Sequence, residues 1–107
     1  MTTIRLESVT GSFAEDKDAA ATLRREVILP KLEAGKRLEI DFDGIRLTTQ
    51  SFIHALISEA LRRHGTRALE LLEFKNCGTA PRGIIETVVQ YVLEARDSKQ
   101  DENPPRE

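Results

Sequence analysis

The sequence predicts an α/β fold: a small, mainly parallel β-sheet whose strands alternate with helices. Segments with period-2 and period-3.6 hydrophobicity take turns along the 107 residues. Their order, strand then helix three times over with no internal repeat, favours parallel pairing through right-handed crossovers. The central stretch from Leu38 to Leu61 is a complete strand–loop–helix unit around which the rest is organised.

Thr3 to Val9 opens the chain as a first strand, with Ile4 and Leu6 alternating with Arg5 and Glu7. Gly11 and Ser12 break it. Ser12 stands three residues before Glu15, the spacing of a capping box, so a helix can start there. Asp16 or Asp18 can cap a later start instead. Ala19, Ala20, Leu23, Val27 and Ile28 then form a helical stripe. Pro30 must kink or end that helix, and Gly35 supplies a C-cap after a last turn holding Leu32.

In the central unit, Leu38, Ile40 and Phe42 alternate with Glu39, Asp41 and Asp43, the pattern of a strand with unlike faces. Phe52, Ile53, Leu56, Ile57, Ala60 and Leu61 give the following helix one apolar face. Arg62, Arg63, His64 and Gly65 close it, with cations to answer the dipole and a glycine stop. Residues 68–74, ALELLEF, are too short an apolar run for a helix and read as a third strand. Pro81 falls near the first turn of the last helix, whose stripe is Ile84, Ile85, Val88, Val89, Val92 and Ala95. The expected strands are thus 3–9, 37–42 and 68–74, and the expected helices 14–34, 50–64 and 80–95. Phe42 and Phe52 bracket the central loop on apolar stripes and should both be buried. Residues 1–96 make one domain. From Asp97 to Glu107 no aliphatic or aromatic residue occurs, so 97–107 is expected to be a disordered tail.

Fully covered parallel strands are usually apolar on both faces. Here Arg5, Glu7, Glu39, Asp41, Glu70 and Glu73 interrupt them, so one sheet face should be thinly covered or exposed. A sheet this small also has two edges, open to an extra short strand or a homodimer contact.

The net charge of −2 provides no basic field for nucleic acid, and no apolar run approaches the roughly 20 residues of a membrane span. The N-terminus lacks a secretory core, and the single cysteine, Cys77, has no internal partner for a disulfide. A cytoplasmic location follows as the expectation.

Catalytic signals are weak. His64 is explained by a helix C-terminus, and His54 lies beside an apolar stripe, the usual place for a structural histidine. No spacing matches a metal site or a phosphate-binding glycine loop, and no cofactor is expected. Asp41 and Asp43 share a strand face but have no further ligands nearby. Cys77 precedes a helix N-terminus, a setting that can lower a thiol pKa, though a packed loop cysteine explains it as well.

The remaining candidates are polar loop residues. Asp43, Thr48, Thr49, Gln50 and Ser51 lie between the central strand and its helix, and Asn76 and Thr79 lie after the third strand. In a parallel sheet both loops leave the same edge, where α/β proteins usually bind ligands or partners. One of Thr48, Thr49 and Ser51 should cap the helix. Ser51 or Thr49 is also placed to be a phosphoacceptor, because the helix dipole favours a phosphate there.

The central stretch resembles the STAS domain, named for sulfate transporters and anti-sigma factor antagonists. Leu38, Ile40 and Asp41 match its strand, Gly44 and Ile45 the next step, and Ile53 and Leu56 its helix. The turn departs: Thr49 stands where the family has Asp, Gln50 where it has the phosphorylated Ser, and Phe52 where it has Gly. The phosphoacceptor is therefore not carried over to Gln50. A closer likeness is to STAS-like domains of unassigned function, through Asp41-Phe42, Gly44, Ser51-Phe52 and the ILPKLEAG segment at Ile28–Gly35. That likeness runs over residues 4–95. It implies a non-enzymatic regulatory module of bacterial signalling, often associated with a histidine-kinase-like ATPase.

The leading expectation is thus a module that docks a protein through loop 43–51 and the start of the second helix. A sensor of nucleotides or other small molecules, using the same loops as a pocket, is the alternative. A small enzyme using Cys77 is the third reading.

Overall fold

Where the chain bends out of its strands is decided by how far each strand has a partner. In the computed structural model, which describes residues 2–106 and the side chains of residues 2–96, β1 is Thr2–Arg5 and β3 is Leu38–Asp41. They pair in parallel from Thr2↔Leu38 to Arg5↔Asp41. Past Arg5 no ladder partner remains, and the chain turns into a short helix, α1, Leu6–Thr10. The Ser8 hydroxyl donates to the Arg5 carbonyl at 2.7 Å, a local bond that helps this turn. The expected first strand, 3–9, is therefore strand only to Arg5. Leu6 is buried and Val9 exposed, so a spacing that reads as alternation is filled by a helical turn.

A two-residue strand, β2, Phe13–Ala14, precedes the first long helix. That helix begins at Lys17: the Asp16 side chain caps it, accepting from the Asp18 N–H at 2.9 Å. Ser12 takes no part in a capping box, because the helix is capped at Asp16, four residues beyond it; its carbonyl accepts from the Arg46 N–H in the pairing with the central loop. α2, Lys17–Leu23, continues through a π-helical turn, Arg24–Ile28, into α3, Leu29–Glu33. In that turn the Leu29 N–H reaches back to the Arg24 carbonyl. The wider turn directly precedes Pro30, whose missing N–H and bulky ring it accommodates. Gly35, at φ 72°, closes α3 as the sequence implies. Its N–H bonds to Leu32 O and the Lys36 N–H to Lys31 O, each at 2.9 Å.

After β3 comes a second two-residue strand, β4, Leu47–Thr48, then α4, Gln50–His64, which ends at Gly65 with φ 62°. The third apolar run is not one strand. Residues Thr66–Leu71 form helix α5, and only Leu72–Lys75 form strand β5. Ala and Leu are good helix formers, and Ala68 and Leu71, one turn apart, bury the same side. α6 spans Thr79–Arg106. The tail expected over 97–107 lies outside the residues described with side chains.

The main sheet has the order β1-β3-β5, all parallel, with β2 and β4 pairing in parallel as a separate ribbon. Strands laid side by side in chain order, each joined by a right-handed crossover, put every crossover helix on one face. α4 packs between α2 and α6 on that face. Ile4, Leu38, Ile40, Leu72 and the half-buried Phe74 point toward it, as do the core residues Phe42 (1% exposed) and Phe52 (0%). The opposite face holds Thr3, Arg5, Glu39, Asp41, Glu73 and Lys75, exposed or half-buried, as the interrupted strands foretell. Glu7 and Glu70 do not belong to it, since both lie in helices.

Candidate functional site

The carboxyl edge of the sheet gathers both polar loops because β3 and β5 are adjacent and parallel. Asp41, last residue of β3, joins them. Its Oδ1 accepts from the Asp43 N–H and from Asn76 Nδ2, each at 2.9 Å, while the Phe42 N–H donates to Lys75 O at 2.8 Å. Asn76 reaches that geometry from φ 57°, a left-handed conformation that asparagine tolerates. The Asn76 hydrogen bond, then that of Asp43, holds the Asp41 carboxyl below the usual carboxylate range, with Arg5 and Lys75 adding favourable charge. Asp41 and Asp43 are therefore joined through a backbone N–H.

Gly44, at φ 86°, makes the turn after β3, and a Cβ there would meet the Glu7 carboxylate of α1 at 2.6 Å. The chain then runs alongside β2. Arg46 N–H donates to Ser12 O at 2.8 Å, Thr49 N–H to Ala14 O at 3.3 Å, and Thr48 Oγ1 to the same Ala14 carbonyl at 2.8 Å. Thr48 is consequently buried, which corrects its expected place on a docking surface: its hydroxyl ties loop to ribbon. Thr49 is the cap that the sequence anticipates, its Oγ1 accepting from the Phe52 N–H at 3.1 Å. Ser51, in the first turn of α4, is exposed, as are Asp43, Gln50, Asn76 and Thr79.

Beside Ser51 a surface depression of about 510 Å³ is lined by Lys17, Gln50, Ser51, His54 and Ala55. Arg24, outside that lining, donates from Nη1 to Ala55 O at 3.1 Å, and its Nε lies 3.6 Å from Glu59. Cys77 is half-buried. Burial pushes its thiol pKa up, against the opposing charge of Arg82, which is the reverse of an activated nucleophile. Among the described residues no group of three His, Cys, Asp or Glu is placed to hold a metal. His64 is half-buried, and its Nε2 has no hydrogen-bond partner among them.

The polar pattern misses three apolar residues at this edge. Val9 (48% exposed), Phe13 (54%) and Leu47 (48%) are large side chains open to solvent. Phe13 and Leu47 are register partners across the ribbon, and α1, which carries Val9, packs on β2. Their neighbours in register, Ala14 and Thr48, point inward. The one signal for them was negative: Phe13 in GSFAED and Leu47 in GIRLTT belong to no apolar stripe.

A one-sided α/β domain with helix starts and two tied loops at one edge defines the class. The chain belongs to the family described as STAS-like domain of unknown function (DUF4325), whose model matches residues 19–80. That match runs from within α2 past β5, with the loop 43–51 inside it, and is narrower than the likeness over 4–95 read from the sequence. Comparison with curated proteins and with solved structures gives no match. Among the described residues no helix is long and apolar enough to cross a membrane.

Proposed function

We propose that this chain is a non-catalytic, cytoplasmic regulatory module that docks a partner protein at the carboxyl edge of its sheet. The observation that carries the reading is the strip Val9, Phe13 and Leu47, flanked by the exposed polar residues Asp43, Gln50 and Ser51. Protein interfaces combine such an apolar centre with a polar rim. Thr48, Thr49 and the Asp41–Asn76 bond hold the backbone in place, so little ordering cost falls on binding. Asn76 and Thr79 extend the rim. The resemblance to anti-sigma factor antagonists suggests a histidine-kinase-like ATPase as the partner class. Ser51 is the phosphoacceptor we favour over Thr49, whose hydroxyl oxygen is occupied as a cap. A phosphate on Ser51 would add about −1.5 to −2 charges beside the strip and so regulate docking.

The test compares wild type with Leu47→Asp as bait in extracts of the native host. One protein captured at fixed stoichiometry by wild type and lost with Leu47→Asp supports docking. Equal capture by both overturns it. With that partner in hand, unchanged affinity of Ser51→Asp relative to Ser51→Ala removes the phosphate switch. The depression lined by Lys17, Gln50, Ser51, His54 and Ala55 favours a second reading, a nucleotide or small-molecule sensor. Nucleotide retained through purification and released on denaturation would support that reading instead.

A further inference from the structure

At the opposite end of the strands, positive charge is concentrated where no pattern in the sequence announced a site. Thr2 opens β1, Lys31 lies in the last turn of α3, and Lys36 and Arg37 precede β3. Together they line a depression of about 510 Å³. Arg67, from the start of α5, lies outside that lining but near the turn: its Nη2 would stand 3.8 Å from a Cβ on Gly35. The turn that presents Lys36 and Arg37 is fixed by the Gly35 and Lys36 N–H bonds that close α3.

Among the described residues four other cations are ion-paired. Arg24 meets Glu59, Arg25 meets Glu26, Arg63 meets Glu33 and Glu59, and Lys75 meets Glu39. Among the described residues no ion pair includes Lys31, Lys36, Arg37 or Arg67. Glu33, two residues from Lys31, is turned away to Arg63 at 3.0 Å. Helix dipoles account for only part of the cluster. Lys31 and the Arg67 guanidinium near Gly35 answer the C-terminus of α3, whereas Lys36 and Arg37 lie past it, before β3. Lys31, Lys36 and Arg37 thus line one depression, with Arg67 near the adjoining turn, and the mutual repulsion of these like charges is something a bound anion would relieve.

We propose that this depression binds a small ligand bearing two or more phosphate groups. Guanidinium forks and flexible ammonium groups are the side chains that hold phosphate oxygens. The rest of the molecule argues against a long polyanion. The net charge is −2, so with these four cations set aside the remainder carries −6 and repels nucleic acid or an anionic membrane. The site lies at the other end of the strands from Phe13 and Leu47, so it stands or falls independently of the docking reading.

Sodium pyrophosphate is the probe. The ¹⁵N-labelled full chain is titrated with it while amide shifts are followed, against sodium chloride at matched ionic strength. Saturable shifts confined to residues near 2, 31–38 and 66–68 are expected, with affinity reduced about tenfold or more in the double variant Lys36→Ala, Arg37→Ala. Both residues are exposed, and an unchanged melting temperature confirms that the variant is folded. Shifts that chloride reproduces, shifts centred on Gln50, Ser51 and His54, or an unaffected double variant would each overturn the proposal. So would tighter binding of a single-stranded oligonucleotide than of pyrophosphate.

Discussion

Three phenylalanines give a controlled test of the packing, since the same atoms are deleted from sites of different burial. Phe52 exposes 0% of its surface, Phe42 1% and Phe13 54%. Phe42 lies in contact with Phe74, ring centroids 6.4 Å apart and planes tilted by 53°. Removing a buried phenyl ring loses its transfer free energy and leaves a cavity that the core fills only in part, about 3–5 kcal/mol. A domain of this size holds about 5–15 kcal/mol in all, and each kcal/mol is worth about 4–8 °C of melting temperature. Phe52→Ala and Phe42→Ala should each lower the melting temperature by on the order of 15 °C or more, followed by circular dichroism. Phe13→Ala removes a ring already half in water, with no closed cavity, and should cost under about 1 kcal/mol. A near-wild-type melting temperature for Phe52→Ala, or an equal loss for Phe13→Ala, would refute this account of which face of α4 is buried and of the free strip.

Thr49→Ala should cost about 1 kcal/mol through loss of the α4 cap, with Thr49→Ser restoring most of it, whereas Ser51→Ala should stay within about 0.5 kcal/mol. Urea denaturation reads the difference, and equal losses at the two positions would show that the capping role is misassigned. Acid should act through Asp41 and Glu39, whose folded carboxyls are held below their ordinary values by Asn76 and by Thr3 respectively. A lowered folded pKa gives stability that is present above the unfolded value and lost as pH falls through the folded one. Melting temperature should therefore drop as pH falls below about 4, and less steeply in Asp41→Asn, where Glu39 still titrates. Parallel wild-type and variant profiles would contradict that assignment.

Where periodicity extended over several turns or was set by a cap, the fold was legible in the sequence. The stripe from Phe52 to Leu61 and the RRHG stop place α4 at Gln50–His64, and Gly35 marks the end of the first long helix, whose start the sequence left open between Ser12, Asp16 and Asp18. Short segments were not legible in the same way. Ile4–Leu6 and Ala68–Leu71 satisfy more than one period, and what decides them is the length of the ladder, which only the partner strand sets. The ribbon was out of reach for a related reason. β2 and β4 are two residues each, and the Thr48–Ala14 bond that joins them spans 34 positions. Polarity therefore pointed to Thr48, which the fold buries, and away from Phe13 and Leu47, which it exposes.

The one-sided crossover also separates the helix ends, and with them the charge. α2 and α4 begin at the carboxyl edge, beside Asp16 and Thr49, while α3 and α4 end at the amino edge, beside Gly35 and Gly65. Their dipoles add rather than cancel, placing partial positive charge under Ser51 and partial negative charge under the opposite end. At that end Lys31, Arg62 and Arg63 are the expected answer to the dipole, and Arg63 is further satisfied by Glu33 and Glu59. Lys36 and Arg37 exceed what two helix termini call for. That surplus distinguishes a surface tuned to its own helices from one shaped for an anion. At the carboxyl edge the same test gives a different result: Thr49 and Asp16 already answer the helix starts, so the exposed strip of Val9, Phe13 and Leu47 is the feature that the fold itself leaves unexplained.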